Sequence, residues 1–132
     1  MANSMAEQLQ QEMVCEGLLE CIHGLKGLDK ACFRVLVESE EPLPIDDVAD
    51  QVDRERSTAY RSIQRLLQSG CVQKEQVNYD DGGYYHVYSP TDSSDIAADM
   101  QRQLNDWYAK MGLLIQEFEE TYERGGKPDT DE

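Results

Sequence analysis

Two short extended segments, residues 71–79 and 84–89, are joined by Asp80, Asp81, Gly82 and Gly83. Glycines at the end of such a link supply the positive φ that tight hairpin turns require. Tyr79, Tyr84, Tyr85 and Tyr88 lie in or beside the pair, as suits a half-buried hairpin, and Pro90 ends it. Two strands alone are only marginally stable. The hairpin therefore has to pack on the helical segments before it, and this fixes the class as α+β, mainly α.

Those segments are legible from apolar spacing. Residues 5–22 carry Leu9, Met13, Val14, Leu18 and Ile22 as an imperfect helical stripe, weakened at Gly17 and ended at Gly24. Asp29 reads as the N-cap of a second helix, 30–39, with Phe33, Leu36 and Val37 inward. The run Glu40, Glu41, Pro42, Leu43, Pro44 breaks it. A short helix over 45–52 buries Ile45, Val48, Ala49 and Val52. After Asp53 a fourth helix, 55–69, buries Ala59, Ile63, Leu66 and Leu67 and stops at Gly70.

A long helix is expected over 93–122. Met100, Leu104, Trp107, Met111, Leu114 and Phe118 advance by alternating fours and threes, the seam spacing of a coiled coil. About 30 residues at 1.5 Å each reach some 45 Å, more than a chain of 132 residues can bury against itself. A second copy's helix is the economical partner. The expected organisation is an N-terminal helix (1–24), a central domain (25–90), a dimerisation helix (91–123) and a disordered acidic tail (124–132).

Charge is distributed unevenly. The chain holds 27 Asp and Glu against 12 Lys and Arg, a formal charge of −15. Between Arg54 and Lys74 the balance reverses: Arg54, Arg56, Arg61, Arg65 and Lys74 face only Glu55. Bulk acidity excludes a membrane-surface or generic polyanion binder, while the island marks an anion-binding face. Only five lysines occur, and short carboxylates replace them at the surface, the composition expected of a cytoplasmic protein of a halophile. No apolar run approaches the roughly 20 residues of a membrane span, and Met1, Ala2, Asn3, Ser4 does not open a secretory signal.

Helix, short helix, tight turn, basic helix and hairpin, in that order, make a winged helix-turn-helix. A helix fits the major groove, where each base pair presents its own donor and acceptor pattern. Arg54, Thr58, Arg61 and Arg65 share one stripe of the fourth helix. Ser57, Thr58 and Arg61, near its entering end, are expected at base edges. Arg54, Arg56, Arg65 and Lys74 are expected at phosphates, which position without specifying. Tyr60 is open between a DNA contact and core packing. The acidic wing tip, Asp80 and Asp81, either stands off DNA or uses inorganic cations as bridges.

The residues also resemble a known family. Leu28-Asp29-Lys30 through Val37, Ile45-Asp46-Asp47-Val48-Ala49-Asp50 and Arg54-Glu55-Arg56-Ser57-Thr58-Ala59-Tyr60-Arg61 are similar to archaeal TrmB-type winged-helix regulators. Gln73-Lys74-Glu75-Gln76-Val77-Asn78-Tyr79, Gly82-Gly83-Tyr84-Tyr85-His86-Val87-Tyr88 and Leu104-Asn105-Asp106-Trp107-Tyr108-Ala109-Lys110-Met111-Gly112 resemble the haloarchaeal RosR-type oxidative-stress branch. This resemblance implies a homodimeric, oxidant-responsive transcription factor on a palindromic double-stranded operator. It does not carry over sugar sensing, since the chain ends at Glu132 without the large sugar-binding domain of full-length TrmB proteins.

Four cysteines in a cytosolic chain are more often small buried hydrophobes than bridges. Cys71 reads as packed. Cys15, Cys21 and Cys32 are candidates for thiol sensing, which the resemblance supports and the spacing does not prove. Cys15, Cys21, His23 and Cys32 lack zinc-site spacing, so no metal or other cofactor is expected. No nucleophile elbow or phosphate loop occurs, which speaks against an enzyme. The competing class is an acidic winged-helix adaptor that docks a protein through the long helix.

Overall fold

A computed structural model describes Cys15 and residues 17–123. The chain forms α1 (Gly17–His23), α2 (Gly27–Glu38), β1 (Leu43–Pro44), α3 (Ile45–Val52), α4 (Arg56–Gln68), β2 (Val72–Asn78), β3 (Tyr84–Pro90) and α5 (Ser93–Thr121). One compact unit runs through Ile96 and a second begins at Ala97. The expected class is observed: mainly helical, with a small antiparallel sheet and a long C-terminal helix. Residues 5–14 of the expected first helix and the tail 124–132 lie outside the described residues.

The core of the first unit forms where α2, α3 and α4 meet the sheet. Leu36, Val48, Ile63, Leu66, Cys32 and Cys71 have almost no exposure. Each aliphatic member stabilises the fold by about 1.5–3 kcal/mol through removal from water. In α1 the buried residue is Leu19, not the expected Leu18, which is 39% exposed. The described helix begins at Gly17 and ends at His23, just before Gly24.

α2 departs from expectation in its phase. Its inward residues are Asp29, Cys32 and Leu36, while Val37 is 53% exposed. Asp29 is not the N-cap: Lys26 is, and the Asp29 carboxylate reaches back to accept the Lys26 backbone N–H at 3.2 Å. The helix thus begins earlier than Asp29, and the acid sits one turn inside, against α4.

Ile45, Val48 and Ala49 bury the inner face of α3. At its end Asp53 adopts a left-handed conformation (φ 58°), a state that Asp tolerates better than most residues. The Asp53 and Arg54 backbone N–H groups close back on Ala49 and Asp50 carbonyls. Residues 53–55 therefore make a tight turn from α3 into α4. At the far end of α4, Gly70 takes φ 83° and turns the chain into β2.

The sheet has three strands in the order β1-β3-β2. β2 and β3 pair from Val72↔Pro90 to Asn78↔Tyr84, and Gly82 and Gly83 carry the positive φ of the link (102° and 82°). Leu43 and Pro44 do more than break the preceding helix: they form β1 and pair with Tyr88 and Val87. A two-residue edge strand tolerates proline because its outer side needs no N–H donor. Thr91 donates its N–H to Cys71 and its hydroxyl to Gly70, fastening the hairpin base to the end of α4.

Candidate nucleic-acid interface

α4 presents its two sides unequally. Ala59, Ser62, Ile63 and Leu66 are buried, so the opposite side is centred on Ser57, Arg61, Gln64 and Gln68 at about 100° per residue. Ser57, Tyr60, Arg61 and Gln68 are exposed and Gln64 is half-buried. Thr58 is only half-buried, on the flank, and so is not at the centre of the outward face as its place in the arginine stripe implied.

Arg65 is directed inward. Its Nη2 lies 2.9 Å from Asp29 Oδ1, and its Nε donates to both carboxylate oxygens at 3.0 and 3.1 Å. Asp29 is 3% exposed and also accepts from Ser62 Oγ at 2.5 Å. Burial by itself raises the Asp29 pKa. The Arg65 hydrogen bonds, then those from Ser62 and the Lys26 N–H, and the Arg65 charge outweigh it and hold the carboxyl below its ordinary value. The same pairing raises the Arg65 guanidinium further, hydrogen bonding to Asp29 first.

The other cations of the island face outward. Arg54 donates from Nη1 to its neighbour Asp53's carbonyl at 3.2 Å. Arg56 Nε meets Asp46 Oδ1 of α3 at 2.7 Å, with both side chains mostly exposed. Such a pair orients the side chain more than it stabilises the fold. Tyr60, open in the sequence between core and contact, is 44% exposed.

Strand alternation places Lys74, Gln76 and Asn78 with their partners Tyr88, His86 and Tyr84 on one face of the hairpin. Burial, then proximity to Tyr60, raise the Tyr88 phenol, while Arg56 pulls it the other way. Tyr88 therefore stands within electrostatic reach of the first turns of α4. Tyr79 and Tyr85 pack with ring centroids 5.1 Å apart and planes tilted by 39°, beside the acidic tip.

Gln64 was missed in the sequence. Its signal was position: it lies one turn beyond Tyr60 and Arg61, and its amide has the donor–acceptor pair that suits an adenine edge. Among the four cysteines no disulfide forms; Cys15 and Cys21 are exposed and Cys32 and Cys71 buried. Burial first, opposed by a Ser62 hydrogen bond and reinforced by the Asp29 charge, pushes the Cys32 thiol up. That disfavours the thiolate that oxidant sensing requires. Among the described residues no three His, Cys, Asp or Glu side chains gather as a metal site, and no helix is long and apolar enough to cross a membrane.

The chain covers 92% of a possible transcriptional regulator from Methanosarcina mazei Go1, which covers 86% of this chain at 23% identity and a TM-score of 0.71. The ST1889 protein of Sulfolobus tokodaii is similar over 76% of this chain and 93% of its own, at 21% identity and a TM-score of 0.57. At these identities the likeness concerns the fold. In sequence, the uncharacterized protein MJ1503 of Methanocaldococcus jannaschii is 33% identical over 105 residues, 79% of this chain and 78% of that one. The family described as sugar-specific transcriptional regulator TrmB matches residues 19–94, from α1 to the start of α5 and more than half of the sequence. With the helix-turn-helix and its wing inside that span, the chain belongs to the TrmB family and is a transcriptional regulator of the winged-helix type.

Proposed function

We propose that the protein is a sequence-specific DNA-binding regulator that works as a homodimer in the cytoplasm of a halophilic archaeon and responds to oxidants. The observation that carries this reading is the outward side of α4. In a chain of charge −15, that side and the turn before it keep Arg54, Arg56 and Arg61 without an intervening acid except Glu55. An adaptor would have no reason to keep such an island.

Within this reading α4 enters the major groove. Ser57, Arg61 and Gln64 meet base edges; Thr58 lines the flank. Arg54, Arg56 and Lys74 hold phosphates. Arg65 acts from behind, fixing α4 on α2 through Asp29. The wing's polar face lies toward the backbone, and cations screen Asp80 and Asp81.

Dimerisation is assigned to α5. It spans 29 residues with none buried, and Leu104, Trp107, Leu114 and Phe118 are each about half exposed or more. Met100 and Met111 complete the seam, and both are half-buried. A seam of this size left in water favours pairing with a second copy. For the signal, exposure favours Cys15 and Cys21 over Cys32. The family match covers the winged unit, and a sugar ligand forms no part of this proposal.

The test is to sequence genomic fragments retained by the reduced protein in molar KCl. A two-fold-related motif with half-sites about ten base pairs apart, lost on adding peroxide, is the expected result. A motif that survives peroxide removes the oxidant signal. Recovery of no motif overturns DNA recognition in favour of the adaptor.

A further inference from the structure

Tyr60 stands out on α4 because its neighbour Ala59 is fully buried while Tyr60 itself keeps 44% of its surface in water. Its ring, with Arg56 and Ser57 one turn earlier, walls an open depression of about 360 Å³ whose lining is almost wholly apolar. That character has a cause. The Arg56 head is drawn aside to Asp46 at 2.7 Å, leaving its methylene stem as a wall. The Tyr88 phenol, buried in the sheet, lies within electrostatic reach of Tyr60.

An apolar depression at the entering end of a groove-reading helix meets only one apolar group on a base-pair edge. That group is the C5-methyl of thymine; every other major-groove feature is a hydrogen-bond donor or acceptor. Cytosine at the same place lacks the methyl and so forfeits the apolar contact that the Tyr60 ring and the Arg56 stem offer.

We propose that the Arg56–Ser57–Tyr60 depression seats a thymine methyl, so that Tyr60 selects thymine over cytosine at one position of each half-site. This rests on the DNA-binding reading and adds a specificity that the reading does not contain. Loss of one methyl's burial corresponds to about a fourfold loss of affinity.

The experiment starts from DNA selected out of a random pool by the full-length protein in molar KCl. Each thymine of the selected half-site is then replaced by deoxyuridine, which removes only the methyl. One position is expected to weaken binding about fourfold per half-site, and restoring the methyl with 5-methylcytosine opposite guanine should recover part of it. With Tyr60→Ala, thymine and deoxyuridine at that position should bind alike, whereas Tyr60→Phe should keep the difference. If a motif is selected but no thymine responds to deoxyuridine, or if Tyr60→Ala keeps the full difference, this assignment is overturned and DNA recognition stands. If no motif is selected, both fall together.

Discussion

Arg65 of α4 and Asp29 of α2 are joined across 36 residues of sequence by three contacts between 2.9 and 3.1 Å. The carboxylate is buried and the guanidinium half exposed. This clamp sets how α4 sits on α2. Asp29→Asn should cost about 2–3 kcal/mol, below the 3–5 of fully buried pairs because water still reaches Arg65. Urea unfolding at neutral pH measures it.

The same carboxyl gives a pH signature. Its folded-state pKa lies below the ordinary value, so the unfolded chain binds more protons as pH falls. Its contribution is therefore complete above the usual carboxylate range of about 4 and is lost as pH drops through the lower, folded value. Subtracting the stability of Asp29→Asn from that of the native protein should give a flat difference above about pH 5 that shrinks steadily below it. A difference that stays constant into strong acid would show that the carboxyl is not held in its charged form.

Arg61 and Arg65 should separate cleanly. Arg61→Ala is expected to lose about 1–3 kcal/mol against the preferred sequence and to flatten discrimination between sites. Arg65→Ala should lower the melting temperature while leaving the order of preferred sequences unchanged. Competition binding with a site and scrambled DNA distinguishes them, and unchanged profiles for Arg61→Ala would remove it from the base-reading set.

Thiol accessibility follows from burial. A maleimide at neutral pH should label Cys15 and Cys21 quickly and reach Cys32 and Cys71 only after denaturation. Mass spectrometry of pulse-labelled protein reads the sites. Separate Cys15→Ser and Cys21→Ser variants that keep a full peroxide response would exclude both as sensors.

The α5 seam is tested by charge. Trp107→Glu or Leu114→Glu should convert a dimer to monomer at micromolar concentration in sedimentation, since removing a large buried apolar group costs about 3–5 kcal/mol. A native protein that sediments as a monomer would assign the seam to another partner.

Salt should act unusually. Phosphate neutralisation ordinarily releases counterions, so affinity falls as salt rises. Here the residues outside the basic island carry −19, and acidic flanks brought close to DNA would take up cations on binding. The affinity should change little, or rise, with KCl in the molar range. A steep ordinary fall in a titration would mean that the acidic surfaces stay clear of the DNA.

Local signals determined much of this protein. Apolar spacing marked α2 through α5 to within a few residues, because a buried face imposes its period on its own helix. Asp80 to Gly83 placed the hairpin, since positive φ is a property of single residues. The arginine-rich segment was visible as composition. What each arginine does was not. Periodicity put Arg65 and Thr58 on one stripe with Arg61, but only packing revealed a carboxylate from α2 waiting behind Arg65. Asp29 itself read as a cap because a buried acid leaves no hydrophobic trace in its own helix. β1 was invisible for a related reason: a two-residue strand has no period, and Leu43 and Pro44 become a strand only because β3 offers them an edge. Tyr60 and Gln64 came to the surface by the same logic. The chain's own sequence sets the face each residue occupies, while the neighbouring elements decide whether that face meets protein or water.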